Sequence, residues 1–167
     1  QYLDDGGMGE LTVEALVKVP SGATNVPIVS FDNNRVWSFE INSVGNLVFE
    51  AVTKDRLNHE HKALGSGGNG PTVNDGNWHH VAATYSRSDG YARLYVDGKQ
   101  VNSRYMNDTR LFPNATRMGF VGIGSATGTF DGTKEWTNAD GWDGVGQIDE
   151  VRIWHTRRTQ SEIQATM

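Results

Sequence analysis

The sequence predicts an all-β protein, a sandwich of two antiparallel sheets, and three observations carry that expectation. Short runs alternate apolar and polar residues with period two. Clusters of Gly, Asn and Asp separate these runs at short intervals. Only one good helix start is legible, near the C-terminal end. With 167 residues the chain suffices for one domain with a real core and is short for two, so residues 1–167 read as a single domain. Its 20 glycines against 4 prolines mean that turns rely on positive φ more than on rigid kinks.

Taken in order, Leu11 to Val19 alternates cleanly and is stopped by Pro20 and Gly22, which suits a half-buried strand. Val36–Ile41 and Asn46–Val52 flank Ser43-Val44-Gly45 and read as a hairpin. The stretch Gly76 to Val101, "GNWHHVAATYSRSDGYARLYVDGKQV", resolves into three strands: Trp78–Tyr85, Tyr91–Val96 and one beginning at Lys99. Asp89-Gly90 and Asp97-Gly98 mark the two reversals. Within a strand His79 and His80 point to opposite faces, so they read as scaffold and not as a chemical pair. Arg117–Gly124 is a further strand, and Gly146–Trp154 closes the sheet. Ile148, Val151 and Ile153 read as core-facing, which breaks alternation unless a bulge near Asp149-Glu150 restores the phase. Thr159-Gln160-Ser161-Glu162 fits a capping box that opens a short helix. Asp55–Asn77 and Ser125–Val145 are the longest irregular stretches, and long loops on rigid sandwiches tend to carry function.

Composition excludes several classes. The formal net charge is −5, and Arg157-Arg158 is the only adjacent basic pair, so no basic face for nucleic acid is expected. No apolar stretch approaches the roughly 20 residues that span a membrane. Cysteine is absent, which removes disulfide and thiolate chemistry without fixing a compartment. The chain opens at Gln1, not Met, with no charged-then-apolar leader, and reads as a processed protein or an excised domain.

The ordered set "LTVEALVKV", "GNWHHVAATY", "ARLYVDGKQV", "VGIGSATG" and "GQIDEVRIWHTRRTQSEI" resembles the laminin G-like jelly-roll domains of the concanavalin A-like lectin/glucanase superfamily. Leu16 stands where the family often has Trp, and the family's usual first segment before "QYL" is missing or altered. The resemblance implies a jelly roll of two antiparallel sheets. It also implies a non-catalytic module of a secreted or surface protein that binds glycans or protein partners, commonly with calcium. Fold alone does not confer function, so the residues have to carry each expectation.

By this resemblance Asp149 matches a closing-strand Asp that helps hold a structural calcium, with Asp4 and Asp5 as partners; alternatively it only bonds backbone at the bulge. The loop 129–144 carries Trp136 and Trp142, which suit stacking on sugar rings. Beside them Asp131, Glu135, Asp140 and Asp143 suit hydroxyls or calcium, which takes six to eight oxygen ligands. The alternative is a solvated acidic loop whose tryptophans pack down on the sandwich. Arg35, in the oxygen-rich turn Asp32-Asn33-Asn34-Arg35 beside Trp37, joins the candidate ligand-binding set. Pentraxins complete a calcium site from a comparable turn with acidic residues after a later strand. Ser125-Ala126-Thr127 lacks carboxylates there, so a simple turn is the better account. His59-Glu60-His61 lies in an expected loop without a third zinc ligand. The glucanases' Glu-x-Asp-x-Glu layout on one strand, which supplies the paired carboxylates of glycoside hydrolysis, does not occur. Glu40 and Glu50 are expected to share a sheet surface without being a tuned pair. The chain is therefore read as a lectin-like, non-enzymatic glycan binder of the cell exterior. A structural or adhesion module is the alternative, and a polysaccharide-degrading domain the more remote one.

Overall fold

The computed structural model describes residues 8–23, 25–31, 37–54, 59–67, 70–106, 121–126, 140–141 and 146–167. Its strands are β1 (Glu10–Lys18), β2 (Val26–Phe31), β3 (Trp37–Ile41), β4 (Leu47–Lys54), β5 (His59–Gly65), β6 (Trp78–Ser86), β7 (Tyr91–Val96), β8 (Lys99–Tyr105), β9 (Val121–Ile123), β10 (Ser125–Ala126), β11 (Asp140–Gly141) and β12 (Gln147–Trp154). One helix, α1 (Gln160–Gln164), follows. Two five-stranded sheets run β12-β1-β6-β7-β8 and β5-β4-β3-β2-β9, with β10-β11 as a separate two-stranded ladder. Every pairing is antiparallel. The expected two-sheet jelly-roll sandwich is the fold observed.

Alternation decides which side of each strand meets the core. Leu11, Val13, Ala15 and Val17 of β1 are fully buried and face Phe39, Ile41 and Phe49 across the sandwich in one apolar cluster. Part of the opposite face of the first sheet, around Thr12, Glu14, Ala82 and Tyr95, is buried as well, because the closing segment folds over it. Ile163 of α1 packs on Ala82 and Tyr95, while the Thr12 hydroxyl donates to the Thr156 carbonyl at 2.7 Å and accepts the Arg158 amide at 2.9 Å. Thr159 caps α1 in the expected capping box with Glu162, so both ends of that contact are sequence-specified.

The turns follow their residues. Asp97 (φ 49°) and Gly98 (φ 70°) form the two-residue β7–β8 connection, which needs positive φ at both positions. In the β3–β4 hairpin Gly45 has φ 81°, and a Cβ there would stand 2.0 Å from Oδ1 of Asn74. That loop therefore requires glycine twice over, once for its backbone and once for the approach of Asn74. The bulge near Asp149-Glu150 is present: the β1–β12 register skips between Glu14 and Leu16, and Glu150 takes φ 52°. It lets Ile148 and Val151 both pack against the core. Ile153 differs from expectation. It pairs with Val13 but stays 38% exposed, because β12 is an edge strand.

Strands occupy parts of both regions expected as irregular, and one more, Val26–Phe31, lies where no element is expected. His59–His61 belongs to β5, which pairs with β4 through Thr53↔Glu60 to Val48↔Gly65. Its sequence is polar because it edges the sheet, and among its side chains described only Leu64 is buried. Val26–Phe31 is β2, whose Pro27 masks the pattern; that residue sits beside a register shift with β3, where strands tolerate proline. Within 125–145, Ser125 pairs with Gly141 and Ala126 with Asp140. Of the strand expected at Arg117–Gly124, Val121–Ile123 is β9, and residues 117–120 lie outside the described residues.

Candidate functional site

The second sheet presents a polar row on the face away from the core. In β3, Trp37, Phe39 and Ile41 point inward, so Ser38 and Glu40 point the other way. The ladders align Ser30 with Ser38 and Ser38 with Glu50, and Glu40 with Pro27 and Val48. Glu40 and Glu50 therefore share this face in diagonal register, as expected; such neighbours lie about 7–8 Å apart at the backbone. Ser30 and Ser38 are 1% and 2% exposed. The Ser38 hydroxyl is buried without a hydrogen-bond partner, although such groups normally find one. A hydroxyl and two carboxylates on one strip supply the donors and acceptors that a polyol requires.

The β10–β11 ladder packs against β2, and the Gly124 amide donates to the Ile28 carbonyl at 2.9 Å. This ladder brings residues 126 and 140, which flank the segment 127–139, together next to β2. Asp140 stands opposite Ala126, so a carboxylate residue meets the position that the linear sequence shows without one. Phe31, which precedes Asp32–Arg35 in the sequence, is at the other end of β2, paired with Val121; residues 32–36 lie outside the described residues. Trp136, Trp142, Asp131, Glu135, Asp143 and Arg35 lie outside the described residues, as do Asp4 and Asp5.

Asp149 sits on the bulge opposite Leu16, and its Oδ1 accepts the Glu150 amide at 2.8 Å. Glu150 is itself paired with Arg152. Among the described residues no group of three His, Asp or Glu is placed to hold a metal. The described part of the bulge thus falls well short of a calcium shell, and Asp4 and Asp5 would have to complete it.

The two adjacent histidines do point apart. His79 sits between carboxylates, Nδ1 at 2.9 Å from Asp97 and Nε2 at 3.1 Å from Asp75, tying the loop before β6 to the β7–β8 turn. Burial pushes its pKa down, but the hydrogen bonds and charges of Asp97 and Asp75 outweigh this and raise it above 6.5. Asp75 is lowered to about 2, first by the Asn77 amide and side chain and then by His79. Folded His79 holds its proton more tightly than unfolded His79. Its stabilisation is therefore complete below 6.5 and is lost as pH rises through the raised value. A melting series from about pH 6 to about pH 9 is expected to show this decline, flattened in His79→Gln.

His80 lies on the outer face instead, its Nε2 at 3.2 Å from Glu14. Glu14 is wholly buried, and Arg158 pairs with its other oxygen. Burial pushes the Glu14 carboxyl up, yet the hydrogen bonds from His80 and Arg158 and their charges leave it below the ordinary range. This triad holds the closing segment on the sheet. It is scaffold, as expected for a histidine packed within a strand.

A family model of the concanavalin A-like lectin/glucanases superfamily, of the laminin G type, matches residues 3–164. The chain belongs to that superfamily. This laminin G-like chain is 29% identical over 91 residues to human neuronal pentraxin-1, covering 54% of this chain and 20% of that protein. It is 49% identical over 35 residues to a rat protein with sushi, von Willebrand factor type A, EGF and pentraxin domains, covering 21% of this chain and 1% of that one. The laminin G-like chain thus spans about a fifth of the length of neuronal pentraxin-1. Among solved structures, a Bacteroides ovatus protein with an inferred carbohydrate-binding role matches at TM-score 0.62 and 21% identity, over 98% of this chain and 42% of that one. A heptameric pentraxin from Limulus polyphemus matches at 0.62 and 18%, over 95% and 69%. The ligand-binding domain of botulinum neurotoxin serotype D in complex with N-acetylneuraminic acid matches at 0.62 and 17%, over 98% and 38%. At these identities the structural matches establish the shared fold.

Among the described residues no helix is long and apolar enough to cross a membrane.

Proposed function

We propose that this domain is a non-catalytic carbohydrate-binding module of an extracellular or cell-surface protein. The observation that carries the reading is the buried, partnerless Ser38 hydroxyl, aligned with Ser30 and Glu50 on the sheet whose strand β2 the β10–β11 ladder contacts. The Ser38 hydroxyl is closed to solvent here, so a sugar hydroxyl satisfies it once that cover opens, and Trp136 and Trp142 supply ring faces for the apolar side of a pyranose. Asp131, Asp140, Asp143 and Arg35 supply polar contacts around them. A neighbour solved in complex with N-acetylneuraminic acid and one with an inferred carbohydrate-binding role support the reading, and no strand among the described residues carries a glucanase carboxylate array.

The proposal includes a structural calcium at Asp149, completed by Asp4 and Asp5. Saturating calcium at about 100 Kd adds about 2.7 kcal/mol to a protein that binds it only when folded. For a domain of this size that is a rise of about 5–10 °C in Tm, reversed by EDTA. A glycan array in both states tests the function, and alanine at both Trp136 and Trp142 is expected to weaken the hits at least tenfold. An unchanged array signal in that double variant refutes the loop assignment. A silent array on a folded protein replaces the glycan reading with a protein-binding or structural module. Release of products from a polysaccharide panel refutes the non-catalytic assignment.

A further inference from the structure

The outer face of the first sheet carries an aromatic surface unrelated to the loop 127–139. Tyr91 of β7 and Tyr105 of β8 are directly paired, and their side chains leave the sheet opposite the buried Ala92 and Leu94. They are 39% and 53% exposed, with ring centroids 5.5 Å apart and planes at 62°. One ring thus stands as a wall beside the other. The surface is also held in place. The ring of Tyr105 rests against the β6–β7 turn, where a Cβ on Gly90 would stand 2.4 Å from its Cε2. Arg93 lies over Tyr91 at 5.4 Å.

Polar groups of both kinds border the rings. Asp89 accepts from Arg93 and from Arg157, each at 2.7 Å, and its other oxygen accepts the Tyr91 amide at 3.0 Å. Burial pushes the Asp89 carboxyl up, but Arg93, the Tyr91 amide and Arg157 together hold it below the ordinary range. The carboxylate is thus charged at neutral pH and oriented by three donors. Ser88 adds a hydroxyl bonded to Ser86 at 2.8 Å.

We propose that Tyr91 and Tyr105, with Arg93 and Asp89, form a second saccharide-binding platform on the face opposite the Ser30–Ser38–Glu50 row. The inference rests on the glycan-binding reading for its ligand class, and on different residues for its place. Two rigid amphipathic rings at an angle match the apolar face of a pyranose, and preformed donors and acceptors at their margin match its hydroxyls. The patch is too small for a protein partner. Even two whole tyrosines bury about 300–500 Å², against about 800 Å² per partner in a stable interface. A nucleobase would also stack there, but among the described residues no groove of cations follows the rings as single-stranded nucleic acid requires.

The test is chemical-shift mapping of the isotope-labelled domain against lactose, cellotriose, maltotriose and N,N′-diacetylchitobiose, each titrated to tens of millimolar. At least one saccharide is expected to shift Gly90, Tyr91, Arg93 and Tyr105 together. Tyr105→Ala should weaken that binding at least tenfold without moving resonances at Ser38 and Glu50. Tyr105→Phe, which keeps the ring, should retain it and controls for folding. Shifts confined to the Ser38 face overturn this inference and leave the proposed function standing. Shifts confined to the tyrosines support it and refute the assignment of the Ser38 face. No shift anywhere with any of the four overturns both.

Discussion

Arg158→Ala is expected to destabilise the domain by about 3–5 kcal/mol, the range for removing one member of a buried ion pair. Glu14 is wholly buried beneath the closing segment, and its charge is supported by His80 and Arg158. The same guanidinium donates to Thr166 Oγ1 at 2.9 Å and to the Glu162 carbonyl, and it lies 4.8 Å over the Trp154 ring. Truncation leaves a buried carboxylate with one neighbour and releases α1 from the sheet. In a domain of this size the loss corresponds to about 6–20 °C in Tm. Replacing both charges, as Glu14→Leu with Arg158→Met, should recover much of it, because the cost lies in the orphaned charge. The pH profile gives an independent check. Glu14 is held below its ordinary range, so its stabilisation is present above its unfolded pKa and is lost as pH falls through the lower folded value. Arg158→Ala should flatten that acid limb. An unchanged Tm would mean that the triad does not hold the closing segment.

Phe39→Ala is expected to cost about 3–5 kcal/mol, whereas Ser38→Ala, one residue away, should lie within about 1 kcal/mol of the parent. Both side chains are buried. Phe39 fills the core between Val29 and Phe49, so its loss leaves a cavity. The Ser38 hydroxyl has no partner to lose, and methyl in its place removes an unsatisfied group. If the hydroxyl is instead reserved for a ligand, Ser38→Ala should weaken glycan binding about tenfold while Tm stays put, since a lost hydrogen bond in a built site is worth about 1 kcal/mol or more. Chemical denaturation and array titration of the two variants measure both quantities. A large stability loss in Ser38→Ala would make that row structural and remove it from the site.

The elements that could be read from the chain are those whose signal is local. β1 alternates, Asp97-Gly98 supplies the two positive φ values of its turn, Thr159 and Glu162 satisfy each other's backbone amides, and the bulge at Asp149-Glu150 follows from the phase of three apolar residues. β5 escaped because an edge strand buries little and so carries no alternation, and β2 escaped because Pro27 imitates a break. The candidate site was legible only in part: the loop with its tryptophans stands out by composition, but the Ser38 row does not. Ser30 on β2, Ser38 and Glu40 on β3 and Glu50 on β4 look like ordinary solvent-facing positions until the ladders set them side by side. The pairing of Asp140 with Ala126 and the burial of Glu14 under Arg158 have the same origin. Local patterning settled that the chain is an all-β sandwich with a capped terminal helix. Which polar groups meet, and which are stripped of water, was decided by strand register and sheet packing, because contacts between residues far apart in the chain leave no periodic trace within it.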